Sequence, residues 1–568
     1  MRHLIKSVVF LLVFFIVCKN SIAQNYPQNY FRNPLDIPLQ LVANFGALRA
    51  NHFHMGLDIR TQGRENLPVY AAADGYVSRI KIETYGYGNA IYITHPNGYT
   101  TLYAHLNSYY AALADYIKEK QYKEESWEQD FELPAGLFPV TKGKFIAYSG
   151  NTGGSSGPHL HFEIRDTKTG NNINPQLMGF NIGDKQPPVI KNLFWYDRRY
   201  STYQSAAQPI AITKVNGSYT AVSKVVKVNS PVISLGIAAE DIAASTPFKL
   251  GIYSTELWMD DSLLNAFAVD DFSYEDTRYI NASIDYTKFI KEKKYVQYLA
   301  QLPGNKLHIF NPDLTYGVII LADTVTHPVK IIVKDAYGNS SGLQFGLQLN
   351  EKAVNIGYLA NAQPVLPDHE NDVIGKNVKV HFSKNAFYDA FPLILNESLN
   401  ANKNSASAFV ALHNFTVPVH DSFDVQLKTT LAANDPVRNN VVMQLISGNN
   451  KQTMKGEWNG DWMAARFNRL GNVQLLIDLV PPTIAPVGWK NGAILSSAKT
   501  LTVKCKDDLD DIATFRAELD GEWLLFAGSN DNFIYRFDDH CSKGAHNLVI
   551  TVTDIAGNTT KQTFTFTR

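Results

Sequence analysis

Gly150-Asn-Thr-Gly-Gly-Ser-Ser-Gly157 runs directly into Pro158-His159-Leu160-His161-Phe162-Glu163-Ile164, and this stretch decides the fold around it. Successive side chains of a strand alternate between two faces. His159 and His161 therefore share one face, while Leu160, Phe162 and Ile164 form the other and need a core to pack into. The Gly/Ser run before them cannot hold regular structure and reads as a loop. A short strand with one apolar face is stable only inside a sheet.

Working outward, the neighbouring strands are found easily. Ala90 to His95 and Tyr99 to Leu106 read as two strands joined through Pro96-Asn97-Gly98, a strong turn signal. Pro68-Val-Tyr-Ala-Ala-Ala, Asp74-Gly75 and Tyr76-Val77 read as strand, turn, strand. From Asn44 to about Phe180 the chain thus predicts a compact antiparallel sheet. Alternation in Leu102-Tyr103-Ala104-His105-Leu106 predicts Tyr103 and His105 on one face. Tyr109 to Gln129, with Leu113, Tyr116 and Ile117, reads instead as a helical insertion at about 109–130.

A third segment is His54-Met-Gly-Leu-Asp58. It offers a nitrogen and an oxygen donor four residues apart, and Gly56 lets the backbone run close. An isolated strand histidine is more often hydrogen-bonded or exposed than a ligand. Three segments that each send a histidine to the polar face of one small sheet, with an aspartate completing a three-ligand set, weigh differently. His52 reads as a neighbouring surface residue and His95 as a residue of the hairpin end.

Taken in order, His54-x-Gly-x-Asp58, Tyr103-Ala-His105 and His159-x-His161 resemble the three signature motifs of the lysostaphin and LytM-type zinc peptidases, the peptidoglycan endopeptidases. The resemblance covers roughly residues 40 to 180. It implies that His54, Asp58 and His161 bind one zinc ion per chain and that His105 and His159 are the catalytic pair. Two nitrogens and one carboxylate leave a fourth position open, as catalytic zinc sites require. The helical HExxH motif with its glutamate base does not occur, so a histidine pair serves as general acid and base. The resemblance implies hydrolysis of peptide bonds in peptidoglycan stems or cross-links, with peptidoglycan peptides as the partner.

The whole chain sets the context. Its 568 residues predict about three to five folding units. A formal net charge of −1 with 18% charged residues offers no basic field for nucleic acid. Abundant Tyr and Phe among short Val, Ile and Thr-rich runs predict an all-β, multidomain protein. Arg2 and Lys6, the apolar run Val8 to Val17 and Ser21-Ile22-Ala23 read as a signal peptide over residues 1–23, cleaved before Gln24. Val17 stands where lipidation of Cys18 would want a small residue. No later segment is long and apolar enough to span a bilayer, which predicts an exported, soluble mature chain in the periplasm or envelope of a bacterium.

The peptidase domain is expected at 24–185. Beyond Pro187-Pro188 the pattern turns sandwich-like, and Val333-Lys-Asp-Ala-Tyr-Gly-Asn is echoed by Val552-Thr-Asp-Ile-Ala-Gly-Asn. An Asp-x-x-Gly-Asn turn between alternating strands predicts immunoglobulin-like β-sandwiches at 187–350 and 481–568, with a β domain of uncertain type at 351–480. These modules carry no catalytic constellation and are candidates for binding an envelope protein. Trp458, Trp462 and Trp523 read as core rather than sugar-stacking residues. Cys505 and Cys541 form a disulfide candidate in an oxidising compartment, worth about 4 kcal/mol on a loop-entropy argument. Two separate buried thiols are the alternative. Rival functional readings are a non-catalytic peptidoglycan-binding scaffold and an envelope protease acting on proteins.

Overall fold

The computed structural model describes residues 26–311, 316–350, 363–509, 512–529 and 531–568. The signal-peptide reading of residues 1–23 lies outside them. The chain is all-β with many sheets, as expected. Among the described residues, no helix is long and apolar enough to cross a membrane.

The N-terminal region builds strands β1 (Leu41–Ala43), β2 (Leu48–Arg49), β3 (His52–Phe53), β4 (Leu57–Arg60), β5 (Pro68–Tyr70), β6 (Gly75–Ile82), β7 (Asn89–Thr94), β8 (Tyr99–Ala104) and β9 (Leu106–Tyr109). Helix α1 (Ala111–Glu124) and strands β10 (Gln129–Glu132), β11 (Pro139–Val140), β12 (Phe145–Ser149), β13 (His159–Asp166) and β14 (Asn172–Ile173) follow. The main sheet runs in the order β1-β4-β13-β8-β7-β6-β10, and a small sheet β5-β12-β9 packs beside it. All of these pairings are antiparallel.

One face of the main sheet closes a core. Leu57, Ile59, Ile91, Ile93, Tyr103, Leu160, Phe162 and Ile164 all lie in one buried cluster with Val69, Ile146 and Ala147 of the small sheet. Full burial of one such side chain is worth about 1.5–3 kcal/mol. The opposite face carries Asp58, Ala104 and His161 in direct register. That face abuts the next unit. Phe45 stacks on Phe272 with ring centroids 4.5 Å apart, and β14 pairs with the strand Asp271–Phe272.

The helical insertion is shorter than its sequence reading. Helix α1 buries Leu113, Ile117 and Gln121 and stops at Glu124, with Glu125 in the left-handed region at φ 47°. Tyr109 still belongs to β9, and Gln129 already pairs with Ile82. Half-buried Trp127 packs into the core behind the helix, and an edge strand rather than a longer helix covers β6.

Three two-sheet sandwiches follow. The first pairs a sheet containing Val189–Asp197 and Val232–Glu240 with one containing Ser218–Val228, Ser254–Met259, His327–Lys334 and Ser340–Leu349. The second contains Val378–Phe382 and Phe423–Lys428 in one sheet and Val441–Ser447 and Gly471–Ile477 in the other. The third contains Thr500–Lys506 in one sheet and Ala545–Asp554 with Thr559–Thr567 in the other. Both Asp-x-x-Gly-Asn segments form turns between adjacent antiparallel strands.

Of the two cysteine readings the structure holds the separate buried thiols, and the core reading of the tryptophans holds in part, with Trp458 packed against the core of the second sandwich. Cys505 and Cys541 are free and buried, not bonded. Both pack as small apolar groups in the core of the last sandwich, and burial pushes the Cys505 thiol up to about 12. Trp458, Trp462 and Trp523 are only half-buried. Each ring meets an amphipathic neighbour: Arg438 lies 3.9 Å over Trp458, Lys379 lies 4.4 Å over Trp462, and Tyr122 lies 5.3 Å from Trp523.

Candidate metal centre and active site

The sheet brings the predicted residues together. Asp58 on β4 faces His161 on β13 in direct register, and His54 enters from the segment just before β4. His54 Nε2 lies 2.9 Å from Asp58 Oδ1, His161 Nδ1 lies 2.9 Å from the same oxygen, and the two nitrogens are 3.1 Å apart. Gly56 makes this approach possible, because a Cβ there would stand 2.3 Å from the Phe162 carbonyl oxygen.

His105 arrives by a route that alternation did not foresee. Ala104 pairs with His161 and Tyr103 with Phe162, so strict alternation would turn His105 into the core beside Tyr103. Instead His105 takes φ 58°, and β8 ends one residue before it. This left-handed kink, which few non-glycine residues adopt, swings the imidazole onto the polar face. Its ring centroid lies 4.7 Å from that of His159 and 5.8 Å from that of His161. Tyr103 stays in the core, where its hydroxyl accepts from the Ala72 N–H at 2.7 Å.

Every imidazole is oriented by a bond on its far nitrogen. His54 Nδ1 donates to the Asn44 carbonyl at 2.8 Å, His105 Nδ1 to the Thr152 carbonyl at 2.8 Å and His159 Nδ1 to the Gly157 carbonyl at 2.8 Å. His161 Nε2 donates to Glu163 Oε1 at 2.9 Å. Each of the four rings, when neutral, therefore turns an unprotonated nitrogen inward. The loop that supplies Thr152 is pinned in turn, since a Cβ at Gly153 would stand 2.3 Å from the Gly88 nitrogen.

Electrostatics follow from burial and neighbours. Burial would raise the Asp58 carboxyl, but His54, His159 and His161 hold it well below the usual carboxylate range. Burial, with His161 and His159 beside it, pushes His105 down to about 3. Burial opposes protonation of His161, yet Asp58 and Glu163 lift it to about 9. The negative charge at the site comes from Asp58 and, behind His161, from Glu163.

Several residues of the site were not singled out from sequence. Glu163 is fully buried, receives Tyr87 Oη–H at 2.7 Å, Arg165 Nε–H at 2.7 Å and Asn172 Nδ2–H at 2.7 Å, and is held near pKa 2 against burial by Arg165 and His161. Alternation placed it on the histidine face two residues after His161, and that signal was available. Asn44 was not legible. It holds His54 through its carbonyl, while its side chain exchanges two bonds with Gly251 of the following sandwich, at 2.8 and 2.7 Å. His95 is structural, bonded to the Asp74 carbonyl and Thr101 Oγ1, and His52 is exposed.

The family model for Peptidase family M23 matches residues 52–122 and 138–175, spanning all five residues of the site. This region is an M23 peptidase domain. The unmatched stretch between the two parts covers the end of α1 and β10. A second family model, for a Zu5-like domain, matches residues 363–478, the middle unit whose type the sequence left open. The M23 region is 35% identical over 122 residues to the DD-carboxypeptidase/endopeptidase Mpg of Neisseria meningitidis, covering 22% of this chain and 22% of Mpg. It is 30% identical over 139 residues to the peptidoglycan DD-endopeptidase ShyA of Vibrio cholerae, covering 23% and 26%. It is 31% identical over 156 residues to the murein hydrolase activator NlpD of Salmonella typhimurium, covering 28% and 33%. The chain thus spans about a fifth to a third of the length of these curated relatives. Among solved structures, a zinc-containing peptidase of Vibrio cholerae matches at 25% identity over 28% of this chain and 41% of that one, with a TM-score of 0.20.

Proposed function

We propose that the M23 domain is a zinc metalloendopeptidase that hydrolyses peptide bonds of peptidoglycan stems or cross-links in the cell envelope. The observation that carries this reading is the convergence of His54 Nε2, Asp58 Oδ1 and His161 Nδ1 at 2.9 to 3.1 Å. Donors on a tetrahedral zinc with bonds of about 2.0 Å lie about 3.3 Å apart, so the three atoms fit three corners around one ion. The donor set of two nitrogens and one carboxylate is that of an open catalytic site.

A zinc ion held there supplies Lewis-acid polarisation of the scissile carbonyl and activation of a water. The chain's own groups do the rest. His159 Nε2 lies 3.3 Å from Asp58 Oδ1, within reach of a water beside the donors, and is free to take its proton as general base. His105, held neutral by burial and fixed by Thr152, turns its unprotonated nitrogen inward with its ring centroid 4.7 Å from that of His159, to accept a hydrogen bond or proton from the reacting water. The sheet floor excludes bulk water, since His54, Asp58, His105 and His161 are all buried.

Substrate class and location are supported by relatives named for peptidoglycan and murein and by the expected signal peptide. The test is zinc content and turnover of purified cross-linked peptidoglycan for wild type, His161→Ala and His159→Ala. We expect about one zinc per chain, lost in His161→Ala and retained without turnover in His159→Ala. A metal-free, inactive wild type that still binds peptidoglycan would establish the scaffold reading instead. Cleavage of protein but not of peptidoglycan would establish a general envelope protease.

A further inference from the structure

Outside the M23 site, two groups of three aspartates recur in the same structural frame. Asp184, Asp241 and Asp335 each offer an oxygen, with these atoms within 4.8 Å of one another, and so do Asp478, Asp507 and Asp554. Asp184 and Asp478 each stand three residues before the first proline of a Pro-Pro pair, Pro187-Pro188 or Pro481-Pro482. Asp241 and Asp507 each follow a strand, Val232–Glu240 or Thr500–Lys506. Asp335 and Asp554 each open the Asp-x-x-Gly-Asn turn.

The bonds repeat as well. Asn339 Nδ2 donates to Asp335 Oδ2 at 2.6 Å and to the Asp184 carbonyl at 3.4 Å. Asn558 Nδ2 donates to Asp554 Oδ2 at 2.9 Å and to the Asp478 carbonyl at 3.1 Å. Asp184 Oδ1 accepts the Gln186 N–H and Asp478 Oδ1 the Val480 N–H, each at 3.0 Å.

One atom is left over. Asp184 is 9% exposed, and its Oδ2 is buried without a hydrogen-bond partner. A buried carboxylate oxygen with neither donor nor cation is strongly unfavourable. The charges acting on Asp241 are those of two other carboxylates, Asp184 and Asp335, and with burial foremost they push it up to about 7. In the second group, Lys455 lies close enough to Asp554 and Asp478 to feel both charges.

We propose that Asp184, Asp241 and Asp335 form a calcium site that fastens the connection leaving the M23 domain onto the sandwich that follows. Only hard oxygen donors converge there, with no nitrogen or sulfur to favour zinc. Three oxygens within 4.8 Å of one another can meet one ion at calcium–oxygen distances of about 2.4 Å. The ion joins three segments distant in sequence: the connection at Asp184, the end of a strand at Asp241 and a turn at Asp335. The inference does not depend on the peptidase reading.

The test uses the full mature chain stripped with chelator and dialysed against radioactive calcium, with thermal unfolding alongside. We expect saturable binding with a dissociation constant on the order of 10⁻⁴ M, as in exported calcium modules, and a higher midpoint of unfolding with calcium. Asp241→Asn and Asp335→Asn each weaken this binding at least about 10-fold, while Asp241→Asn unfolds at an equal or higher temperature than wild type without calcium, because a repelling charge is gone. Should the variants not fold, slower limited proteolysis of wild type within residues 181–188 on adding calcium carries the same information. Absence of saturable binding to the wild type, or binding unchanged in both variants, overturns the proposal.

Discussion

Glu163 Oε1 lies 2.9 Å from His161 Nε2, on the side of the ring opposite Asp58, whose Oδ1 lies 2.9 Å from Nδ1. The imidazole is therefore gripped at both nitrogens by buried carboxylates. Such a partner fixes the tautomer of a ligand histidine and raises its basicity. Glu163→Gln keeps the shape and removes the charge. We expect zinc affinity to fall by about 10–100-fold in competition with a chromogenic chelator, while far-ultraviolet circular dichroism stays unchanged.

The left-handed backbone of His105 separates fold from chemistry. Asparagine accepts φ 58° with little strain, whereas a β-branched residue does not. We expect His105→Asn to fold and to keep its zinc while turnover of peptidoglycan falls by about 10²–10⁴, the usual range for a proton-transfer group. His105→Val should be less stable than His105→Asn by about 1–2 kcal/mol in denaturant unfolding.

His413 in the Zu5-like unit gives a pH prediction. It accepts the Ile394 N–H at 3.2 Å through Nδ1, and burial pushes its pKa down to about 4. The folded state thus binds a proton less readily than the unfolded chain, whose histidine titrates near 6.5. Above that pH the residue has no effect. As pH falls through about 6.5 the unfolded state gains the proton first, and stability declines until about pH 4. Denaturant midpoints at pH 7.5 and 5 should differ more in wild type than in His413→Asn.

The thiols offer a simple check. We expect Cys505 and Cys541 to resist a thiol reagent in the native protein, because burial keeps both protonated. Unfolding without reductant should expose both to alkylation, read by intact mass. A native protein with neither alkylated after unfolding would show a disulfide instead.

Much of this was legible along the chain, because a strand's period of two is a local property. His159, His161 and the core partners Leu160, Phe162 and Ile164 fell on the expected faces, and the turn at Pro96-Asn97-Gly98 stands where it was read, while the bend read at Asp74-Gly75 ends at Asp74 and Gly75 already opens β6. The same local rule failed at His105, where one residue in the left-handed region reversed the face. It also overextended α1, since the sequence could not show that β6 needed a covering strand.

What the sequence determined by itself is therefore the set of donors and the sheet that carries them: alternation and turn chemistry are written in neighbouring residues. Only the tertiary structure decided how the imidazoles are held. Asn44, Glu163 and the Thr152 and Gly157 carbonyls are brought to His54, His161, His105 and His159 by strand register and loop packing, and orienting bonds to backbone carbonyls leave no mark in residue type. The two cysteines make the same point, for whether thiols bond depends on how the core orients them and not on their number. The three aspartates at 184, 241 and 335 are separated by 57 and 94 residues, and no period connects them. Their meeting is a property of the fold alone.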